Sequence, residues 1–177
     1  RHRQMVKRDR PSRRAPVNPC LSALREMASL AHPANNNSKG CGGVMRVAPV
    51  GLFAWRQGDF EQETFRLGTE LAALTHGHPT GALTGGVLAV LIWTLVDGAS
   101  LSEAISTAKR VLKDAPRHEE TLSAIEQAER LAGTRLLPAK AIAKMGEGWI
   151  AEEALAISIY CALVACDFEH GVILAVN

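Results

Sequence analysis

The sequence has no long hydrophobic run and no closely paired cysteines. Its longest uninterrupted apolar stretch, Val87 to Trp93, is far shorter than the roughly 18 residues that a membrane span requires. None of the four cysteines forms a Cys-x-x-Cys pair, the spacing of many metal and redox sites. Cys161 and Cys166 fall in an apolar helical pattern, where reduced cysteine behaves as a small hydrophobic residue. We therefore expect no membrane partner and a reduced, cytoplasmic protein.

Net charge is also small, at +2 from 20 basic and 18 acidic residues, which gives no reason to expect a nucleic-acid partner. The basic residues are nevertheless concentrated within residues 1–14, which contain Arg1, Arg3, Lys7, Arg8, Arg10, Arg13 and Arg14. This arm could contact phosphate groups, although a solvated, poorly ordered tail is the more common explanation. The predicted organisation is a loose arm over residues 1–17 and one domain over residues 18–177.

Both ends of the chain are unusual for a natural domain. It begins at Arg1 rather than Met, and it ends at Asn177 directly after the apolar run from Val172 to Val176. Domain termini usually tail off in polar residues. We therefore expect a partial domain, truncated at both ends.

Apolar residues recur with helical spacing along most of the chain, and no alternating strand pattern extends beyond a few residues. The sequence therefore predicts an all-α helical bundle. Prolines, glycines and polar clusters divide it into helices expected near 18–31, 44–55, 59–74, 80–97, 100–112, 117–132 and 151–166.

Three details of these helices can be predicted. Ser100 is followed three residues later by Glu103, which is the spacing of a capping box. A buried stripe of the helix near 59–74 is predicted to contain Leu67, Leu71 and Leu74. Residues 151–166 are apolar on two sides, so they are expected to form the central helix.

The first of three interhelical loops with chemical potential runs from Ser38 to Arg46, with the sequence Ser-Lys-Gly-Cys-Gly-Gly-Val-Met-Arg. Glycines allow the backbone to approach a ligand closely and leave N–H groups for phosphate oxygens. Lys39 and Arg46 could pair with a pyrophosphate. A mobile connecting loop with ordinary surface charges explains the same composition.

The second loop contains His76 and His78, and the third contains Gly148 and Trp149. Two histidines without a nearby carboxylate or cysteine are a weak metal signal. His76 could instead bind a ligand or cap the preceding helix. Trp149 could stack on a base or sugar, although an indole beside a helix start more often packs in the core. Each loop taken alone is better explained by structure than by chemistry.

The order and spacing of the three loops resemble the ADP-ribosylglycohydrolase family. Its relatives include the dinitrogenase reductase-activating enzyme and the animal ADP-ribosyl-acceptor hydrolases. The resemblance rests on SKGCGGVMRVAPVGL (38–52), LTHGHP (74–79), GEGWIAEEALAISIYCAL (146–163) and DFEHGVILAVN (167–177). It covers residues 16–177.

The resemblance implies an all-helical hydrolase that removes ADP-ribose from protein side chains by cleaving an N- or O-glycosidic bond. Two divalent ions, Mg²⁺ or Mn²⁺, polarise the ribose diol and a bridging water in that family. The implied partners are ADP-ribose and ADP-ribosylated proteins. The implied substrate-binding residues are Gly40, Cys41, Gly42, Gly43, Met45, His76, Gly148 and Trp149. Cys41 stands where the common family loop has asparagine.

The family's metal ligands lie in two stretches that do not match this chain, one upstream and one directly after the position of Asn177. The scattered acids of this chain are not expected to be ligands: Asp59, Asp97, Asp114 and Asp167. We therefore predict no catalytic and no metal residue within these 177 positions, and an inactive chain whose full-length parent is a hydrolase. The alternative is a non-catalytic ADP-ribose-binding or crystallin-like structural protein of the same fold.

Overall fold

Helices form the secondary structure of the computed structural model, which describes residues 18–27 and 32–176. The helices are α1 (Asn18–Glu26), α2 (Ala48–Gln57), α3 (Glu61–Ala73), α4 (Pro79–Val96), α5 (Leu101–Leu112), α6 (Glu119–Ala132), α7 (Pro138–Met145), α8 (Ala151–Val164) and α9 (Phe168–Val176). A short 3₁₀ turn, Val44–Arg46, precedes α2. No strand is present in this described part, so the all-α prediction is confirmed. The predicted arm, residues 1–17, lies outside it.

Helix α4 occupies the centre, where α8 was predicted. It contacts α2, α3, α5, α6, α8 and the 3₁₀ turn, whereas α8 lies to one side against α4, α6, α7 and α9. With 18 residues and a mean hydropathy of 1.7, α4 is long and apolar enough to cross a membrane by length and composition. However, 67% of it is buried inside the protein, as in the core helix of a bundle.

Glycines allow α3 and α4 to pack in close contact. A Cβ atom added to Gly68 of α3 would lie 2.7 Å from the Ala89 Cβ and 2.7 Å from the Gly85 carbonyl oxygen of α4. A side chain larger than hydrogen therefore does not fit at this crossing. The two backbones meet where both helices have their smallest residues.

Because of this crossing, the buried face of α3 is not the predicted leucine stripe. Leu67, Leu71 and Leu74 are only half-buried, so that prediction is wrong. The buried positions of α3 are Thr64, Phe65, Gly68 and Ala72. Small residues face the neighbouring helix because they permit a closer approach than leucines would.

The helix ends follow local rules. The capping box of α5 is confirmed, since the Ser100 Oγ accepts from the Glu103 N–H at 3.3 Å and the Glu103 Oε2 accepts from the Ser100 N–H at 2.8 Å. The first helix ends at Glu26, and residues 28–31 of the predicted helix lie outside the described part of the chain. His78 is the N-cap of α4, and its Nδ1 accepts a hydrogen bond from the Thr80 N–H at 3.2 Å.

Candidate functional site

The glycine-rich loop, residues 38–43, lies directly on the imidazole of His76. Cβ atoms added to three of its glycines would all contact that ring. They would lie 3.5 Å from Nε2 for Gly40, 3.2 Å from Cε1 for Gly42 and 3.3 Å from Nδ1 for Gly43. Side chains at Gly42 and Gly43 would therefore press on the ring, whereas one at Gly40 would make an ordinary van der Waals contact with it.

The same loop is hydrogen-bonded to the segment that starts α8. The Cys41 N–H donates to the Trp149 carbonyl at 3.0 Å, and the Ala151 N–H donates to the Lys39 carbonyl at 2.8 Å. Gly40 and Ile150 form an isolated antiparallel bridge between these two bonds. All three loops singled out in the sequence therefore meet at one place.

Asn36 fixes the third side of this assembly. Its Oδ1 accepts from the N–H groups of Ser38 and Gly77, both at 3.0 Å, and its Nδ2 donates to the Thr75 carbonyl at 3.2 Å. In the sequence, this asparagine is simply one residue of a polar cluster that separates two predicted helices. The tendency of Asn side chains to hydrogen-bond nearby backbone was the available signal for the Ser38 bond.

His76 is fully buried beneath the loop. Its Nδ1 lies 2.8 Å from the Thr75 Oγ1, whereas its Nε2 has no hydrogen-bond partner in the described part of the chain. Burial, and then the positive charge of Arg46, lower the pKa of His76 below its usual value. The ring is therefore neutral at pH 7. Its predicted contact with substrate would require the loop above it to move.

Arg46 caps the end of α3. Its guanidinium donates to the carbonyls of Leu71 and Ala72 at 2.8 and 3.2 Å, and to the Thr75 Oγ1 at 2.6 Å. A cation at a helix C-terminus satisfies carbonyl groups that have no partner within the helix. These bonds give Arg46 a structural role at the end of α3, and its contact with a pyrophosphate stays a prediction.

Lys39 is also occupied. Its Nζ lies 2.6 Å from the Glu120 Oε1 and forms a second ion pair with the Glu152 Oε1. Hydrogen bonds to Glu120 and then Glu152 raise the pKa of Lys39, and the bond from Lys39 lowers the pKa of Glu120. Neither partner could be predicted from the sequence, because they lie 81 and 113 positions away and no spacing rule links them to Lys39.

Two apolar side chains beside the loop face solvent. Met45 is 71% exposed and Trp149 is 74% exposed. The alternative that Trp149 packs in the core is therefore wrong. By contrast, the Cys41 side chain is half-buried against the hydrophobic core.

Glu153 shapes the turn that carries Gly148. Its Oε2 accepts from the N–H groups of Glu147 and Gly148, both at 3.1 Å. Gly146 and Gly148 have φ of +119° and +78°, which favour glycine. The carboxylate therefore organises the turn next to Trp149.

The described residues do not include a metal centre. No group of three or more histidine, cysteine, aspartate or glutamate side chains in residues 18–27 and 32–176 is placed to hold an ion. The two histidines of the second loop act separately, since His76 is buried under the loop and the Nδ1 of His78 caps α4. The residues present therefore do not fit the two-metal site that the resemblance implies.

In residues 18–27 and 32–176, the helices form an all-α bundle in which the glycine- and histidine-bearing loops meet at one place. A family model described as ADP-ribosylglycohydrolase matches residues 1–177, so the chain belongs to the ADP-ribosylglycohydrolase family. Comparison with curated proteins and with solved structures gave no match.

The structure brings together most of the predicted substrate-binding residues. Gly40, Gly42 and Gly43 lie beside His76, while the Cys41 N–H is bonded to the carbonyl of Trp149. The remaining two, Met45 and Gly148, lie next to these loops along the chain. Their roles toward a substrate stay predictions.

Proposed function

We propose that this chain forms the ADP-ribose-binding part of a hydrolase that removes ADP-ribose from modified protein side chains. The observation that supports the proposal is the meeting of the glycine-rich loop with His76 and with the backbone at Trp149. A nucleoside diphosphate sugar needs backbone N–H donors for its phosphates and an aromatic face for its base. Both lie at this place in a chain of the matching family.

Each residue has a distinct part in the proposal. The half-buried Gly42 has an N–H without a partner among the described residues, so it can donate to a diphosphate oxygen. The exposed Trp149 side chain can stack on the adenine, with Met45 as a second apolar contact. His76 supports the loop from beneath in the present conformation.

The proposed parent enzyme uses two Mg²⁺ or Mn²⁺ ions, by the family resemblance. Because the described residues do not fit such a centre, we assign no step to a metal and propose that its ligands lie outside the described part of the chain. The bond that is cleaved is the N- or O-glycosidic bond from ribose to the acceptor side chain. We also propose a reducing, cytoplasmic location, in keeping with four free cysteines.

Two measurements on the isolated chain test the function. We expect titration calorimetry to show ADP-ribose binding, and we expect no release of ADP-ribose from modified arginine or serine peptides when Mg²⁺ or Mn²⁺ is added. Failure to bind ADP-ribose would refute the proposed site. Turnover with either metal would refute the assignment of the ligands to other residues.

The same assays on a longer protein with the flanking sequence separate the enzyme from a non-catalytic binder. Release of ADP-ribose that depends on Mg²⁺ or Mn²⁺ identifies the enzyme. Tight ADP-ribose binding without release, in a longer protein whose flanking sequence lacks the family's metal-binding stretches, would favour the binding or crystallin-like alternative.

A further inference from the structure

Lys39 joins the glycine-rich loop to the starts of two helices. Its carboxylate partners both lie in the first turn of a helix, Glu120 in α6 and Glu152 in α8. The side chain of Glu152 is only 10% exposed, whereas that of Glu120 is 46% exposed. The pair with Glu152 is therefore shielded from water, and the pair with Glu120 is largely solvated.

The backbone reinforces the shielded pair. The Lys39 carbonyl accepts from the N–H of Ala151, the residue that precedes Glu152. Lys39 is thus held against α8 by its main chain and its side chain at adjacent positions. The other oxygen of Glu152, Oε2, is buried without a hydrogen-bond partner among the described residues. Removal of the ammonium would leave a buried carboxylate without its counter-charge, which is strongly unfavourable.

The second carboxylate extends the connection to the start of α4. The Thr80 hydroxyl donates to the Glu120 Oε2, and Thr80 follows the cap residue His78. The His78 N–H in turn donates to the Ser38 carbonyl at 3.2 Å, next to Lys39. The loop is therefore held between the starts of α4, α6 and α8, with Lys39 at the junction.

We propose that Lys39 is a positioning residue for the ADP-ribose site, because its ion pair with Glu152 sets the place of the Gly40–Gly43 loop above His76. The inference rests on the proposed function. It assigns Lys39 an indirect role, since its ammonium is held by carboxylates and not presented to a phosphate. Glu152 is the principal partner, and Glu120 is an accessory one.

The test compares Lys39→Met with Lys109→Met. Lys109 is a matched control, because its Nζ pairs with the Glu129 Oε2 at 2.6 Å and the two lysine side chains are similarly exposed, 24% and 28%. Lys109 joins α5 to α6, and its ammonium is bonded to Glu129 rather than to the glycine-rich loop. We expect Lys39→Met to weaken ADP-ribose binding about tenfold and Lys109→Met to weaken it less than about twofold.

Two further readouts separate positioning from general stability. The amide chemical shifts of Gly40, Gly42 and Gly43 should move in Lys39→Met and stay in place in Lys109→Met. Glu152→Gln should weaken binding as much as Lys39→Met, and the double variant should lose no more than either single variant. Glu120→Gln should also weaken ADP-ribose binding, but its change in the logarithm of Kd should be less than half of the change caused by Glu152→Gln.

The possible outcomes decide the inference. Wild-type affinity and unmoved glycine shifts in Lys39→Met would overturn it, as would equal losses in Lys39→Met and Lys109→Met. If Lys39→Met does not fold, Glu152→Gln and Lys39→Arg replace it, and the arginine variant is expected to stay within about threefold of the wild type. If the wild type binds no ADP-ribose, the proposed function fails, and the glycine shifts alone decide whether Lys39 holds the loop.

Discussion

His76 is a buried, neutral imidazole with one ring nitrogen unpaired among the described residues. A histidine in that state takes up its proton less readily in the folded protein than in the unfolded chain, so its pKa is lowered. Protonation therefore favours unfolding once the pH falls below the usual histidine value of 6.5. The histidine that the resemblance assigns to substrate contact is also a pH-dependent element of stability.

We predict that the free energy of unfolding falls as the pH is lowered from 7.5 to 5.5, by at most about 1.4 kcal/mol per pH unit for one proton. His76→Gln should flatten this slope, and urea unfolding at several pH values measures it. The lowered pKa of Glu120 acts in a separate window, because its stabilisation is lost only below about pH 4.5. Equal slopes in wild type and His76→Gln above pH 5.5 would contradict the assignment.

Trp149 provides the clearest separation of binding from stability. Because its side chain is 74% exposed, Trp149→Ala should change the free energy of unfolding by less than about 0.5 kcal/mol. Loss of base stacking should weaken ADP-ribose binding by about 1 kcal/mol, or roughly fivefold. Phe60→Ala is the control, since this aromatic residue is 79% exposed and lies outside the site. A loss of affinity shared by both variants would argue against stacking on Trp149.

At the scale of elements, the crossing of α3 and α4 determines how the site is supported. α3 ends at Ala73 and α4 starts at Pro79, so the turn that contains His76 connects the two helices. Their close contact at Gly68 and Gly85 fixes the relative position of these two ends. The geometry of the buried histidine therefore depends on a packing contact between glycines.

We predict that Gly68→Ala lowers the free energy of unfolding by about 1–3 kcal/mol, because the added Cβ forces the two backbones apart. Gly133→Ala is the matched control. Its Cβ would have no atom closer than 3.5 Å, and its φ of −80° suits any residue, so stability should stay equal or rise slightly. Thermal unfolding of both variants measures the difference. Similar melting temperatures for the two would show that α3 and α4 can separate without cost.

At the scale of the whole molecule, α4 is the common support of both halves of the site. One half is formed by the turn between α3 and α4, and the other by the turn that starts α8. The glycine-rich loop, residues 38–43, connects these two halves of the site. This arrangement explains why α4 is so apolar, since it is surrounded by α2, α3, α5, α6 and α8.

The sequence alone determined the helices and many of their ends. Apolar spacing, prolines and the Ser100–Glu103 box are local signals, and helices formed close to where these signals stood, whereas α7 and α9 were not predicted. The three loop motifs and their family could also be inferred, because their residue order is written in the chain. The resemblance supplied their expected convergence, which composition could not.

Only the tertiary structure decided which faces are buried and which charges are paired. Small residues, rather than the predicted leucines, occupy the buried face of α3, because the distance between two packed helices depends on the residues of both helices. The carboxylates that pair with Lys39 lie 81 and 113 positions away in the sequence. Arg46 caps the end of α3, and the side chain of Trp149 is exposed to solvent. Helix formation depends on neighbours along the chain, whereas burial and ion pairing depend on neighbours in space, which periodicity does not encode.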